Sequence, residues 1–315
     1  MTSRRPADEG RLLQLVYYAY VAGSRLALAL PERWAYGLAH SLGRLWWRLS
    51  KKRRAVVERN LARITGKARA SPEVADLVGR AFESYARYWL ETFRLVREDR
   101  AFFLDRFRCK GEEKIDEALA RGKGAIVVVG HLGNWDAAGA WVGARGNTLV
   151  TVAEVLRPRR MFDFFVEHRA RLGMIIHPAQ SGVTTKLAEA VEDGAVVAIL
   201  GDRDLKGTGI EVKFFGEPAT FPPGAATIAL RTGVPVLVAG VYSAVHEEGK
   251  RGWATEITGP LELPAEDSPT SERVEDLTRR IAETLESLVA RHPEEWHVFQ
   301  PFWKADLPRG SEDAQ

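Results

Sequence analysis

A histidine and an aspartate five residues apart carry the clearest chemical signal in the sequence. His131 follows the apolar run GAIVVVG directly, and Asp136 comes after it in HLGNWD. A carboxylate that accepts from one imidazole nitrogen fixes the tautomer and raises the basicity of the other nitrogen. Side chains five apart on a regular helix point in different directions, so the contact needs a turn at His131, which Gly130 and Gly133 allow. The motif therefore predicts that His131 is a general base oriented by Asp136. The alternative is a structural histidine of the core beside an aspartate in the first turn of a helix.

A second group of charges follows another apolar run, AVVAIL. Asp202, Arg203 and Asp204 come directly after it, and charges buried at a strand end are costly unless they are paired. Two interpretations of Asp202 and Asp204 stay equally open at this point. They form either an ion pair that ties a loop to the sheet or part of a catalytic site.

Five arginines lie between residues 157 and 171, beside three phenylalanines. The planar guanidinium is the preferred side chain for phosphate groups. Arg169 comes four residues after Phe165 in a helical pattern, which favours a specific partner for it. Nucleic acid is not expected as that partner, because the sequence holds no nucleic-acid motif and its basic character comes from the first sixty residues.

Other catalytic signatures are absent from the sequence. It contains no G-x-S-x-G, GxxxxGK[ST], HExxH or CxxC pattern. The one cysteine, Cys109, excludes a disulfide within the chain and a cysteine metal cluster. We therefore expect no metal, no cofactor and no serine or cysteine nucleophile.

The pattern of apolar runs predicts the elements that must position these residues. Strands are expected at 124–130, 147–155, 195–200, 234–245 and 255–263. Helices are expected at 73–97, 158–172, 184–193, 224–232 and 271–291. Strands that alternate with helices predict an α/β fold with a central, mostly parallel β-sheet flanked by helices. Sites in such sheets lie beyond the carboxyl ends of the strands, which is where His131 falls.

The first sixty residues predict amphipathic helices on a membrane surface. They hold 12 lysines and arginines against 4 acidic residues, although the whole chain has a net charge of only +3. Residues 11–30 are apolar but contain Arg25, so we expect an interfacial rather than a spanning helix. A second helix is expected at 32–49, with tryptophans and a basic run. The predicted membrane-binding residues are Arg48, Lys51, Lys52, Arg53 and Arg54.

The alternative for this region is that the helices pack on the body and the basic run is a solvated face. We read no signal peptide at the amino terminus. The predicted organisation is residues 1–60 as interfacial helices of the same domain, 61–304 as the α/β domain and 305–315 as a tail.

Several blocks of sequence together resemble the lipid A late-acyltransferase superfamily of membrane enzymes. They are GHLGNWD, LRPRRMFDFFVEHRARLGM, LGDRDLKGTGIEVKFFGEPATFPPGAATIALRTGVPVLV and HPEEWHVFQPFW, with RRAVVERNLARITG nearer the start. The ending WHVFQPFW is most similar to the actinobacterial phosphatidylinositol mannoside acyltransferases. The resemblance covers nearly the whole chain.

The resemblance implies transfer of a long acyl chain from acyl-CoA, with palmitoyl-CoA expected, to a sugar hydroxyl of a phosphatidylinositol mannoside. His131 and Asp136 match the family histidine and aspartate. Glu211 resembles a third active-site carboxylate, and Arg169 resembles the active-site arginine. The expected substrate-binding residues, with Arg169, are Asn134, Trp135, Arg157 and Arg203.

The implied reaction sets further expectations about surroundings. The acyl chain needs an apolar groove, which Trp135 and Trp141 would line. Backbone N–H groups near Gly133 and Asn134 would stabilise the oxyanion. A glycolipid acceptor and anionic lipids imply a peripheral protein on the cytoplasmic face of the plasma membrane.

Three alternatives remain open from the sequence. The acceptor is another glycolipid, such as a lipid A-type precursor, or the enzyme is an acyl-CoA thioesterase, or the chain is a non-enzymatic membrane-binding protein. The sequence does not fix the acyl-chain length, the acceptor, the sugar position or the oligomeric state.

Overall fold

A computed structural model describes residues 11–204 and 207–307 of the chain. The helices of this part are α1 (Arg11–Ala29), α2 (Glu32–Leu49), α3 (Lys51–Thr65), α4 (Pro72–Leu95), α5 (Arg100–Arg106), α6 (Glu113–Ala120), α7 (Trp135–Ala144), α8 (Arg159–Arg171), α9 (Val183–Glu192), α10 (Gly224–Thr232) and α11 (Thr270–Val289). The strands are β1 (Phe107–Lys110), β2 (Ala125–Val129), β3 (Leu149–Ala153), β4 (Met174–Pro178), β5 (Val196–Leu200), β6 (Ile210–Phe214), β7 (Glu217–Phe221), β8 (Val236–Val245) and β9 (Arg251–Leu261). Residues 1–10, and 308–315 of the predicted tail, lie outside the described residues.

Seven strands form one sheet in the order β1-β9-β8-β2-β5-β3-β4. All neighbouring strands in it are parallel except β8 and β9, which are antiparallel. Helices cover both faces of the sheet, so the predicted α/β fold with a mostly parallel central sheet is confirmed. The edge strands β1 and β4 and the separate antiparallel hairpin of β6 and β7 were not predicted, because these strands are only partly buried and lack a continuous apolar run.

The strand β2 shows why these runs form the centre of the sheet. All five of its residues are buried, and successive side chains enter opposite cores. Ile126 and Val128 pack with α9, α10 and α11, whereas Val127 and Val129 pack with α5, α6 and α7. A strand covered on both faces needs a continuous β-branched run rather than alternating polarity, and AIVVV supplies it.

The helix α2 turns its small residues inward and its large apolar residues outward. Ala35, Ala39 and Gly43 are buried against α4. A Cβ at Gly43 would come within 2.9 Å of the backbone of α4, so glycine permits the close crossing. The opposite face carries an exposed stripe at helical spacing, which consists of Trp34, Leu38, Leu42, Leu45 and Leu49. Within the described residues, we find no helix with the length and apolar character to cross a membrane.

The basic run after α2 starts the helix α3, and its members have different surroundings. Arg48, Lys51, Lys52 and Arg53 are exposed, whereas Arg54 is partly buried. The Arg54 guanidinium lies over the Trp47 ring at 5.5 Å. Arg53 contacts the carboxy-terminal segment through the carbonyl oxygen of Phe299. The run is therefore not one uniform solvated face.

Candidate active site

The His131 side chain is held by a carboxylate, and that carboxylate is Asp202. The His131 Nδ1 lies 2.6 Å from Asp202 Oδ1, and the His131 backbone N–H donates to Asp202 Oδ2 at 2.7 Å. The Trp296 indole N–H also donates to Oδ2, at 2.9 Å. Asp202 is almost fully buried, at 1% exposure. Every donor on this carboxylate therefore comes from the protein.

The electrostatics of the pair set the tautomer of the histidine. Burial alone would raise the pKa of Asp202. Electrostatic attraction to His131 and the hydrogen bonds from His131 and Trp296 lower that pKa below its ordinary value. An ionised carboxylate only accepts hydrogen bonds, so Nδ1 must carry the hydrogen. The His131 Nε2 makes no hydrogen bond with a residue of 11–204 or 207–307. That nitrogen is therefore available as a base.

The contact expected between His131 and Asp136 is not formed, and this is a correction to the sequence analysis. Asp136 instead accepts from Arg169 Nε at 2.6 Å and Nη2 at 3.3 Å, and from the Tyr88 hydroxyl at 3.1 Å. Burial would lower the pKa of Arg169, but Asp136 raises it above its ordinary value. The reason for the difference is that Asp136 already lies in the first turn of α7, where its side chain points toward α8.

The strand register explains why Asp202 reaches the histidine. The strands β2 and β5 are parallel neighbours, and Val129 pairs with Leu200. Two residues further along each strand, His131 and Asp202 leave the same edge of the sheet side by side. Sequence spacing cannot reveal this contact, because it depends on the order of the strands in the sheet.

The turn after β2 and the start of α7 are fixed by several contacts. Gly133 has a positive φ of 60°, and a Cβ there would lie 2.3 Å from the Val241 carbonyl oxygen. Asn134 caps α7 by accepting from the Ala137 N–H at 3.0 Å and donates to buried Glu91 at 3.1 Å. Both ends of the Asn134 amide are thus used in contacts within the protein, contrary to its expected substrate-binding role. The Gly133 N–H donates to the Glu295 carbonyl at 2.9 Å, which removes it from the expected oxyanion donors.

Two spaces meet at this edge of the sheet. The first is an open groove of about 680 Å³ that contains His131 in its wall. The second is a much smaller apolar cavity of about 80 Å³ beneath α7, whose walls include Trp141, Gly139 and Ala198. Trp135 and Arg169 belong to the walls of both spaces. A polar site therefore adjoins an apolar chamber.

The other predicted site residues divide by their positions. Trp135, Arg157, Arg169 and Arg203 line the groove, and Trp135 and Trp141 line the apolar cavity. Glu211 does not reach either space. It lies on β6 of the separate hairpin, is exposed, and contacts Lys304 at 2.5 Å. The expected position of Glu211 in the site is therefore corrected, and the carboxylate that contacts His131 is Asp202.

Sequence reasoning missed two aromatic or imidazole groups of the groove, Tyr88 and His297. Burial raises the pKa of Tyr88 well above its ordinary value, so its hydroxyl stays protonated and donates to Asp136. The backbone N–H of His297 donates to the His131 carbonyl oxygen at 2.7 Å, and the ring Nε2 of His297 lies 3.0 Å from the Ser84 hydroxyl. Burial lowers the pKa of His297 well below its ordinary value, so the ring is neutral. The block WHVFQPFW was the available sequence signal for His297, which it contains, but not for Tyr88.

A comparison with known protein families identifies the family of the chain. The model of the bacterial lipid A biosynthesis acyltransferase family matches residues 6–305. The chain belongs to this family. It is therefore an acyltransferase, and the non-enzymatic alternative is set aside.

Two curated relatives from mycobacteria are similar to this family member over almost its whole length. The phosphatidylinositol mannoside acyltransferase of Mycobacterium tuberculosis (strain CDC 1551 / Oshkosh) is 37% identical over 297 residues, which are 92% of this chain and 89% of the relative. The phosphatidylinositol mannoside acyltransferase of Mycolicibacterium smegmatis (strain ATCC 700084 / mc(2)155) is 34% identical over 298 residues, 93% of each chain.

The acyltransferase activity should depend on Asp202 and not on Glu211. An Asp202→Asn change should lower kcat for acyl transfer by about 100-fold or more, because an amide no longer fixes the hydrogen on Nδ1 or stabilises the imidazolium. Glu211→Gln, the matched control, should stay within about twofold of the wild type. The measurement is steady-state acyl transfer with circular dichroism as a check of folding. Equal losses in both variants would contradict the assignment.

The ion pair between partly buried Arg169 and buried Asp136 should contribute to the free energy of unfolding. Arg169→Ala leaves the Asp136 carboxylate buried without its counterion, so the free energy of unfolding should fall by about 3–5 kcal/mol. The control, Arg171→Ala, removes an exposed partner of Glu167 on the same helix and should cost less than about 0.5 kcal/mol. Urea denaturation followed by tryptophan fluorescence measures both values. Similar losses would show that Asp136 finds other compensation.

Proposed function

We propose that this acyltransferase moves a long acyl chain from acyl-CoA to a sugar hydroxyl of a phosphatidylinositol mannoside. The observation that carries the proposal is the position of His131, which lies in the wall of the groove with Nδ1 bound to buried Asp202 and Nε2 available. The names of the two mycobacterial relatives, both phosphatidylinositol mannoside acyltransferases, support the choice of acceptor.

The mechanism follows from the tautomer of the histidine. The His131 Nε2 takes the proton of a sugar hydroxyl while the oxygen attacks the thioester carbonyl. Asp202 stabilises the imidazolium that forms. The tetrahedral intermediate then collapses, the carbon–sulfur bond breaks, and the imidazolium returns the proton to the leaving thiolate. One base therefore serves both halves of the reaction.

Direct transfer requires no acyl-enzyme. The single cysteine of the chain, Cys109, lies on the edge strand β1, and β9 and β8 separate β1 from β2. Burial raises the pKa of the Cys109 thiol to about 12, so it is a poor nucleophile at neutral pH. These positions support attack by the acceptor itself rather than by a protein thiol.

The apolar cavity beneath α7 is the proposed site of the terminal part of the acyl chain, because its volume of about 80 Å³ is too small for a whole long chain and the remainder must extend into the groove. The walls of the cavity are apolar except near Asp136, Arg169 and the threonines 151 and 255. Because Arg169 borders both the cavity and the groove, an acyl chain in the cavity would present its thioester beside the polar wall that includes His131. We assign Arg169 to positioning polar groups there and Asp136 to holding Arg169.

The outward stripe of α2 supports peripheral binding to the membrane that holds the acceptor. A row of exposed large apolar side chains beside exposed Arg48, Lys51 and Lys52 is typical of a helix that lies in the headgroup region. Basic residues favour the anionic cytoplasmic leaflet. We propose this leaflet of the plasma membrane as the location.

The proposed reaction is tested by release of free CoA from palmitoyl-CoA, with and without a phosphatidylinositol mannoside, and by the mass of the lipid product. Release should require the acceptor and yield a lipid heavier by one acyl group. Equal release without acceptor would identify a thioesterase. Acyl transfer to a lipid A-type precursor but not to the mannoside would identify a different acceptor.

The cavity should determine the preferred chain length. Ala198 lines it, so Ala198→Phe should fill part of it and shift the preference toward shorter acyl-CoA donors, with Ala198→Val giving a smaller shift. The ratio of kcat/KM between palmitoyl-CoA and decanoyl-CoA measures the change. An unchanged ratio in Ala198→Phe would contradict the placement of the acyl chain.

The stripe of α2 should carry the apolar part of membrane binding. Combining Leu38→Gln, Leu42→Gln and Leu45→Gln should reduce binding to vesicles with anionic lipid at least tenfold, because three leucine side chains no longer insert into the lipid. The control combines Leu104→Gln, Ile175→Gln and Val245→Gln, which are exposed apolar residues elsewhere. Vesicle cosedimentation measures both proteins, and equal binding by both would contradict the proposed surface.

A further inference from the structure

Two arginines from distant parts of the chain are anchored to one short segment at the groove. The Arg53 Nη1 donates to the Phe299 carbonyl oxygen at 2.9 Å. Arg203 donates from Nε at 2.7 Å and from Nη2 at 3.3 Å to the Gln300 side-chain oxygen, with that amide oriented to satisfy both groups. Because the two acceptors belong to consecutive residues, both guanidiniums are anchored by the same short segment. Both arginines and His131 line the groove.

The charge of this arginine pair is not balanced by a protein carboxylate. Within residues 11–204 and 207–307, neither Arg53 nor Arg203 forms an ion pair. Arg169 in the same groove is different, because its charge is matched by Asp136. The groove lining holds one acidic residue, Glu154, on the segment after β3. Like charges that are anchored to consecutive residues and balanced by no carboxylate favour an anion close to both.

The anchoring also prepares the pair for a ligand. Each guanidinium uses only part of its five N–H groups on the protein, and the rest remain for a ligand with the fork geometry that fits phosphate. The Tyr85 ring stacks on Phe299 at 4.9 Å, beside the pair. Burial raises the pKa of Tyr85, and the charges of Arg203 and Arg53 both oppose that rise, which is consistent with both cations lying near it.

We propose that Arg53 and Arg203 form a phosphate-binding subsite in the groove of His131. The inference rests on the proposed function, in which both reactants carry phosphate: the acceptor has a phosphodiester and the donor has the phosphates of CoA. The subsite holds a phosphate of one reactant while the hydroxyl and thioester meet at His131. It moves Arg53 from the predicted membrane-binding residues to the substrate-binding residues.

The experiment measures binding without turnover, by calorimetric titration of two soluble probes, glycerophosphoinositol and free CoA. In Arg53→Gln/Arg203→Gln, the Kd of at least one probe should rise tenfold or more. The affected probe identifies whether the acceptor or the donor supplies the phosphate. The matched control, Lys51→Gln/Lys52→Gln, removes two charges from the same turn of α3, and its Kd values should stay within about twofold of the wild type. Melting temperatures check folding, and the single variants replace the double variant if it unfolds.

Two results would overturn the subsite. One is that wild-type protein binds neither probe, or that the arginine variant binds both as the wild type does. The other is that the lysine control weakens binding as much as the arginine variant, which would assign the effect to general surface charge. Because the titration needs no acyl transfer, a lost affinity in an enzyme that fails the palmitoyl-CoA assay would uphold the subsite and reject only the proposed reaction.

Discussion

The buried carboxylate of Asp202 is the constraint on which the arrangement of the site depends. A charge with 1% exposure is stable only if the protein supplies its hydrogen bonds. The donors are the His131 backbone, the His131 ring and the Trp296 indole. They bring together the end of β2, the end of β5 and the segment after α11. The same interactions that make this carboxylate tolerable leave His131 with one fixed tautomer.

A second buried pair, Asp136 with Arg169, organises the other side of the groove. It joins the first turn of α7 to α8, and the Tyr88 hydroxyl adds α4. Asp202 and Asp136 thus each have a basic partner, and the two pairs occupy different parts of the site. Asp202 binds the Nδ1 side of the histidine ring, whereas Asp136 binds an arginine that lines both the groove and the apolar cavity.

The local patterns of the sequence predicted most of the fold. The five predicted strands all occur in the main sheet, and the predicted helices at 73–97, 158–172 and 224–232 match α4, α8 and α10 within a few residues. Runs such as AIVVV are informative because burial on both faces demands them. Contacts between elements were harder to predict. The partner of His131 was expected five residues away, but strand order and register place Asp202 there, 71 residues along the chain. Glu211 was placed by resemblance across a loop, and the hairpin takes it away from the site.

The most direct test of the account is the protonation state of His131, observed by NMR with ¹⁵N-labelled histidine and assigned by the signals lost in His131→Gln. The account predicts the Nδ1–H tautomer, with a hydrogen-bonded Nδ1 proton that disappears or shifts in Asp202→Asn and stays in place in Glu211→Gln. A hydrogen on Nε2 in the neutral ring, or an Nδ1 proton that is unaffected by Asp202→Asn, would contradict the central role of the His131–Asp202 pair.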